Sequence, residues 1–437
     1  MTPLPPTFRT YIPPETLPER KSYPAAEGTS LIMLPVYAKS VIFFEQDDTR
    51  GGRVPVDKLQ EAIAKALSIF YPFAGRLSPR PRGRFAVQDF DKGCLFQVCE
   101  LPDSIQEYKR NHFGYATLPI TDLVPLLRYT SLDMPLLGIQ LTQLQDGQVL
   151  GLSFNHRISD GLAAAGFRAT MAQIVRGEQV PPFDMYHDWQ RPPLYPSPKY
   201  DHSIDYPVMK EIPEGEDPGP TIQRVFPLPI QHAEELKRQI QHEIPNKNIQ
   251  ISLRDAIAAF MYRSIVKARR IKGKCDFVYV VSKRHEHPDK RLQQHFGNYI
   301  VGAVVPEKHD ELMRRPMSST AQRIREQVAK VNPEYMDSLE YYLNNVQDPS
   351  MVSSPRRRMT RGCVIWSDWS RFSYNTDYGY GKSCGVIRNC LNPSPRAVVT
   401  MLPKREGLFD LIVQMDPESM LRLQDDEQIQ RYTLGAF

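Results

Sequence analysis

Two apolar runs separated by Gln145-Asp146-Gly147 limit the fold of this chain more than any other feature. Asp-Gly between alternating runs is a strong hairpin signal, because both residues tolerate tight-turn backbone angles. Leu136 to Gln143 reads as one strand and Gln148 to Phe154 as its partner. In the second run Leu150, Leu152 and Phe154 alternate with Val149, Gly151 and Ser153. A period of two puts alternate residues on one face of a sheet. If the strand continues, His156 joins the face of Leu150, Leu152 and Phe154. A helical pattern follows, with Phe167, Met171, Ile174 and Val175 on one side and Gly177 as its stop. The stretch therefore sets a histidine at a strand end and Asp160 just before a helix.

Two readings compete for this His-x-x-x-Asp spacing. In one, Asp160 only caps the helix, worth about 1 kcal/mol, and His156 is an ordinary half-buried histidine. In the other, His156 is a general base, since an unperturbed pKa of ~6.5 lets it take a proton near neutral pH. A second motif, Asp377-Tyr378-Gly379-Tyr380-Gly381, shifts the balance to the second reading. The pair resembles the signature of the BAHD acyl-CoA-dependent acyltransferases. That family carries His-x-x-x-Asp-Gly mid-chain and Asp-Phe-Gly-Trp-Gly near the C-terminus. Three further segments are similar in the same order: Tyr71-Pro72-Phe73-Ala74-Gly75-Arg76-Leu77, Phe296-Gly297-Asn298, and Trp366-Ser367-Asp368-Trp369.

The resemblance implies an α/β fold. Two chloramphenicol acetyltransferase-like domains are expected, each a mixed β-sheet with flanking helices, with an active-site channel at their interface. The Pro-rich, charged and aperiodic stretch from Val180 to Pro220 is the best boundary. The expected division is residues 1–185, a crossover linker over 186–220, and 221–437. A segment after about residue 382 is expected to pack with the first domain. Amphipathic periodicity also predicts helices from Val56 to Phe70, from near Pro229 to about His242, from Ser252 onward, and from Pro417 to Tyr432.

The resemblance also assigns roles. His156 would deprotonate an acceptor hydroxyl or amine, and a thioester donor needs no enzyme nucleophile. Asp160 would pair with Arg284 and shape the site rather than relay charge. Ser367 would donate to the oxyanion, although an ordinary strand serine explains it equally well. Trp369 would line the same wall, where Asp368 departs from the family's usual serine. Gly161, Asp377, Gly379 and Gly381 would support the site, the last two by permitting tight turns. Ser252 and Arg254 match positions near the family's CoA phosphate site. A helix N-terminus favours phosphate there, and a simple cap by Ser252 with Asp255 is the alternative.

Composition excludes other classes. The 437 residues carry a net charge of +5, too mild to argue for nucleic acid. Arginine clusters at 80, 82 and 84 and at 356 to 358 lack the interleaved aromatics of a single-strand platform; they read as solvated loops or, alternatively, as attraction for a phosphate-bearing donor. No apolar run approaches the ~20 residues of a membrane span, and Met1 to Arg20 lacks a signal-peptide core. Six scattered cysteines without a Cys-x-x-Cys read as reduced thiols. His285, His287 and His295 lack a second ligand group with metal spacing and read as a charged surface loop. Gly381-Lys382-Ser383-Cys384-Gly385 fits Gly-x-Ser-x-Gly, but no helical period follows it, as a hydrolase elbow requires.

The expectation is a monomeric cytoplasmic O-acyltransferase with acyl-CoA as co-substrate and no permanently bound cofactor or metal. It would transfer an acyl group, acetyl first, to a small specialised-metabolite alcohol. An amine acceptor, a carrier-protein thioester donor and a non-catalytic relative remain as alternatives.

Overall fold

The hairpin around Asp146 forms as expected, with Leu137–Gln143 and Gly147–Asn155 paired antiparallel. The glycine is needed for a different reason from the one its motif suggests. Gly147 is absent from the positive-φ residues, but a Cβ there would lie 2.3 Å from the Phe44 carbonyl oxygen. Close approach to the neighbouring strand, not turn geometry, requires it. These findings come from a computed structural model, which describes residues 5–25, 28–33, 36–128, 130–180, 196–211, 217–246, 248–354, 361–372 and 377–437.

Fourteen strands are present among the described residues. In the first half they are β1 (Phe8–Ile12), β2 (Tyr37–Glu45), β3 (Arg76–Arg80), β4 (Arg84–Gln88), β5 (Cys94–Glu100), β6 (Leu137–Gln143) and β7 (Gly147–Asn155). The second half supplies β8 (Ile222–Pro229), β9 (Phe277–Val281), β10 (Val301–Val305), β11 (Val364–Asp368), β12 (Lys382–Cys390), β13 (Ala397–Met401) and β14 (Leu408–Met415). The helices are α1 (Val56–Ile69), α2 (Ile105–Arg110), α3 (Gly161–Val175), α4 (His202–Asp205), α5 (Ile230–Glu243) and α6 (Leu253–Ala268). They continue with α7 (His309–Arg314), α8 (Met317–Lys330), α9 (Pro333–Asn345), α10 (Pro417–Gln424) and α11 (Glu427–Tyr432).

The strands build two mixed six-stranded sheets and the β3–β4 hairpin. One sheet runs β1-β5-β6-β7-β2-β12 and the other β10-β9-β11-β13-β14-β8. Each has both parallel and antiparallel neighbours: β5 with β6, and β11 with both β9 and β13, are the parallel pairs. Burial follows the period: α1 turns Leu59, Ile63 and Leu67 inward, and α3 buries Phe167 and Met171 against the first sheet.

The halves exchange pieces. β12 pairs antiparallel with β2 in the first sheet. Phe296 packs in the first core, 4.9 Å from Phe73 between ring centroids. In return Leu31, Ile32 and Met33 join the second core. Asp160 and Arg284 form a buried ion pair between the halves, and Arg388 on β12 with Asp410 on β14 forms another between the two sheets.

Some expectations change. The helix expected from Pro417 to Tyr432 is two helices, because Asp426 leaves the helical region and caps α11. His287 is not on a charged surface loop: it is 4 % exposed, 3.0 Å from Asp337 Oδ2, and accepts the Asp289 amide on Nδ1. Of the expected linker, 186–195 and 212–216 lie outside the described residues. The part around α4 docks on α9, with Ser197 N and His202 Nε2 each 3.0 Å from Ser338 Oγ. Arg356, Arg357 and Arg358 also lie outside the described residues. All six cysteines are free thiols. Among the described residues no helix is long and apolar enough to cross a membrane.

Candidate active site

β7 ends at Asn155 and the chain turns at once. The His156 amide donates to Val36 O at 2.8 Å, which extends the β2–β7 ladder by one residue. His156 therefore keeps the face of Phe154, and their ring centroids lie 6.1 Å apart. Asn155 closes the turn, its Oδ1 accepting the Arg157 amide at 3.0 Å. From the other half, Asn298 Nδ2 donates to His156 O at 2.8 Å and Arg157 O at 3.2 Å. The half-buried histidine is thus fixed through its backbone by both halves.

Asp160 caps α3, its Oδ1 accepting the Leu162 and Ala163 amides at 3.2 Å. The same carboxylate meets Arg284 with two parallel contacts of 2.9 Å, and Oδ2 accepts the Tyr299 amide at 3.2 Å. Among the described residues its partners are Arg284 and backbone amides, and His156 is not one of them. Arg284 Nη2 also donates to Gly297 O at 2.9 Å. Gly297 has φ +139, and a Cβ there would lie 2.7 Å from His295 Nε2, so glycine is required. A carboxylate engaged in this way orients the turn rather than the imidazole.

The end of β11 reaches the first turn of α3 through Trp369. Trp369 Nε1 donates to Ser367 Oγ at 2.9 Å, which leaves the hydroxyl proton available to another acceptor. Trp369 stacks on Phe372 at 5.6 Å and 29°. A Cβ on Gly161 would meet Phe372 Cε2 at 2.9 Å and Trp369 Cζ2 at 3.6 Å. The wall therefore rests on the first turn of α3, one residue beyond Asp160. The structure brings Trp369 against Gly161, next to the Asp160–Arg284 pair, and sets Ser367 on Trp369. A small cavity of about 10 Å³, room for about one water, lies at Arg157, lined also by Ser30, Leu31 and Phe85.

Ser252 and Arg254 lie at the start of α6. Ser252 closes a capping box, accepting the Asp255 amide at 3.1 Å and donating its own amide to Asp255 Oδ2 at 2.7 Å. Arg254 Nε donates to Ser370 Oγ at 2.8 Å and lies 3.0 Å from Asp368 Oδ2. Asp368 also accepts from Tyr279 Oη at 3.1 Å and the Ser370 amide at 2.9 Å. Burial, then the neighbouring Asp368 carboxylate, pushes the Tyr279 hydroxyl well above its ordinary pKa, so it stays a donor.

The Asp377 loop stands apart. Arg50 Nη2 contacts both Asp377 oxygens at 2.8 and 2.9 Å, and Arg176 donates to the Asp377 carbonyl. Arg176 caps the C-terminus of α3, the end remote from Asp160. At ~1.5 Å per residue the helix separates the two ends by roughly 22 Å. Partial burial alone would raise the Asp377 pKa, but the Gly379 amide and Arg50 outweigh it and lower the value. Gly379 and Gly381 have φ of +77 and +59. Lys382 to Cys390 is a strand, so the Gly-x-Ser-x-Gly match has no strand-to-helix elbow. Among the described residues no cluster of His, Cys, Asp and Glu could hold a metal.

Sequence reasoning gave Asn298 no role of its own, although the Phe296-Gly297-Asn298 match had marked the segment. It also missed the Arg388–Asp410 pair, for which no local pattern exists.

Two mixed six-stranded sheets that exchange segments define a two-sheet α/β fold. The Transferase family matches residues 11–429, and the chain belongs to it, as a BAHD acyltransferase. It is 25% identical over 375 residues to an omega-hydroxypalmitate O-feruloyl transferase of Arabidopsis thaliana, covering 80% of this chain and 76% of that one. It is 27% identical over 337 residues to an anthranilate N-benzoyltransferase of Dianthus caryophyllus, covering 74% of each. In fold it is similar to TRI101 of F. sporotrichioides, solved with coenzyme A and T-2, at a TM-score of 0.80 and 17% identity, covering 95% of this chain and 99% of that one.

Proposed function

We propose that this acyltransferase uses acyl-CoA, with acetyl-CoA as the first donor, and acylates a hydroxyl of a small specialised metabolite. His156 takes the hydroxyl proton as the acceptor oxygen attacks the thioester carbonyl. The C–O bond forms, the C–S bond breaks, and the proton passes to the departing CoA thiolate. Ser367 donates to the carbonyl oxygen as it gains charge, an interaction worth a few kcal/mol in such sites. Trp369 and Gly161 shape the wall. Asp160 and Arg284 hold the turn, and Asp377, Gly379 and Gly381 hold the remote loop. Arg254, beside Ser252, contacts a phosphate of the donor.

The observation that carries this reading is the corner itself. His156 is fixed from both halves while Asp160 is fully taken up by Arg284 and backbone amides, so one histidine stands as the base. The reading includes a soluble cytoplasmic monomer, an interface channel through the corner, and domains divided at 1–185, 186–220 and 221–437. The feruloyl transferase relative supports a hydroxyl acceptor, and the bound coenzyme A of the TRI101 structure supports the donor. An amine acceptor is the second reading, supported by the N-benzoyltransferase relative. A carrier-bound donor is disfavoured because Asn155, which closes the turn, stands directly before His156.

Calorimetry with CoA and acetyl-CoA on wild type and His156→Ala tests the donor. Binding by both proteins supports the reading, and absence of binding by both folded proteins contradicts it.

A further inference from the structure

We propose that Asp368 is a positioning residue for the acyl donor: it holds the Arg254 guanidinium by Nε so that Nη1 and Nη2 can grip a donor phosphate. This rests on the acyl-CoA reading above and goes beyond it, because the residue doing the holding lies on β11 and not near α6 in sequence.

Arg254 has two described partners, and both meet Nε. Ser370 Oγ accepts from it at 2.8 Å and Asp368 Oδ2 lies 3.0 Å away. Neither terminal nitrogen has a hydrogen bond among the described residues, and the side chain is 31% exposed. A guanidinium fixed through Nε keeps its two outer nitrogens as a planar fork that suits phosphate oxygens.

Asp368 is itself fixed. The Ser370 amide holds Oδ1 at 2.9 Å, and Tyr279 Oη holds Oδ2 at 3.1 Å. Its side chain is 11% exposed. The carboxylate is therefore a rigid bracket between the strand that carries Ser367 and the first turn of α6.

The local charges favour geometry over field. Arg254 and Arg325 are matched by Asp368 and Asp255, so the cluster is close to neutral. The amides at the α6 terminus are partly occupied by the Ser252–Asp255 capping box. A phosphate arriving here gains from a preorganised arginine fork more than from bulk positive potential. The same bracket couples the donor to the Ser367 wall, since Ser367, Asp368 and Ser370 belong to one short segment.

The test is calorimetry on the full chain with CoA, dephospho-CoA and pantetheine, using wild type, Asp368→Asn, Arg254→Gln and the double variant. We expect Asp368→Asn and Arg254→Gln each to weaken CoA binding about 10-fold, with the double variant no weaker than either. Pantetheine, which has no phosphate, should bind all four alike. Loss with CoA alone assigns the fork to the 3′-phosphate; equal loss with dephospho-CoA assigns it to the diphosphate. Unchanged or tighter CoA binding by Asp368→Asn overturns the proposal, as do additive losses or a parallel loss of pantetheine. Failure of wild type to bind CoA would instead remove the acyl-CoA reading on which it stands.

Discussion

Asp160 and Arg284 meet as a buried two-pronged ion pair, with Nη1 to Oδ1 and Nη2 to Oδ2 both at 2.9 Å. The two side chains are 2 % and 0 % exposed, and they join the turn after β7 to the segment after β9. The pair fixes the wall of the site without touching the imidazole.

Asp160→Asn should therefore act on stability first. Asparagine caps a helix as well as aspartate does, so the loss falls on the ion pair. Leaving Arg284 buried without its counter-charge should cost about 3–5 kcal/mol. Urea denaturation with activity measured per folded molecule checks this. A variant as stable as wild type, with a defect in proton transfer alone, would contradict it.

Gly161→Ala should do the reverse. Alanine is favoured over glycine within a helix by about 1 kcal/mol, which offsets part of any crowding. The new methyl would nevertheless lie 2.9 Å from Phe372 Cε2, so the Trp369–Phe372 wall must shift. A small change in urea midpoint with an activity loss of about 10-fold or more is expected, because small misplacements at a reacting centre are costly. Full activity would show that the wall does not border the reaction.

Acid should loosen the second ion pair. Burial alone would raise the Asp410 pKa, but Arg388 and then Arg405 outweigh it and hold it below the ordinary 3.8. A depressed carboxylate stabilises the fold above its unfolded pKa and loses that stabilisation as pH falls through the lower folded value. Asp410→Asn should thus be less stable than wild type at pH 7 by about 3–5 kcal/mol. The gap should narrow once pH drops below about 4. A gap that is constant from pH 7 to pH 3 would contradict this.

How much of this was legible follows from the range of each interaction. The β6–β7 hairpin and α3 have strong local periods, and both form within a residue or two of expectation. The Asp160–Arg284 pair was named only through the family resemblance, because its members stand far apart in the chain. β1 was obscured by its Pro-rich surroundings, and β8 by its own prolines, Pro227 and Pro229. β12 hid behind a glycine-rich motif, and its pairing to β2 carries a register shift between Ser383 and Ile387. The break at Asp425-Asp426 also escaped notice, since the apolar stripe continues across it while the backbone does not. Arg254 was marked as a phosphate contact, but its bracket by Asp368 depends on packing between α6 and β11 that no local pattern encodes.

The central claim is that His156 is the general base of an acyl-CoA-dependent transfer. Its most direct test is CoA release from acetyl-CoA, in the presence of an alcohol acceptor found by screening, for wild type and His156→Ala. The variant should fold and bind acetyl-CoA as wild type does, while its transfer rate falls by about 10²–10⁴-fold. A folded, donor-binding His156→Ala protein that transfers the acetyl group at the wild-type rate would contradict the account.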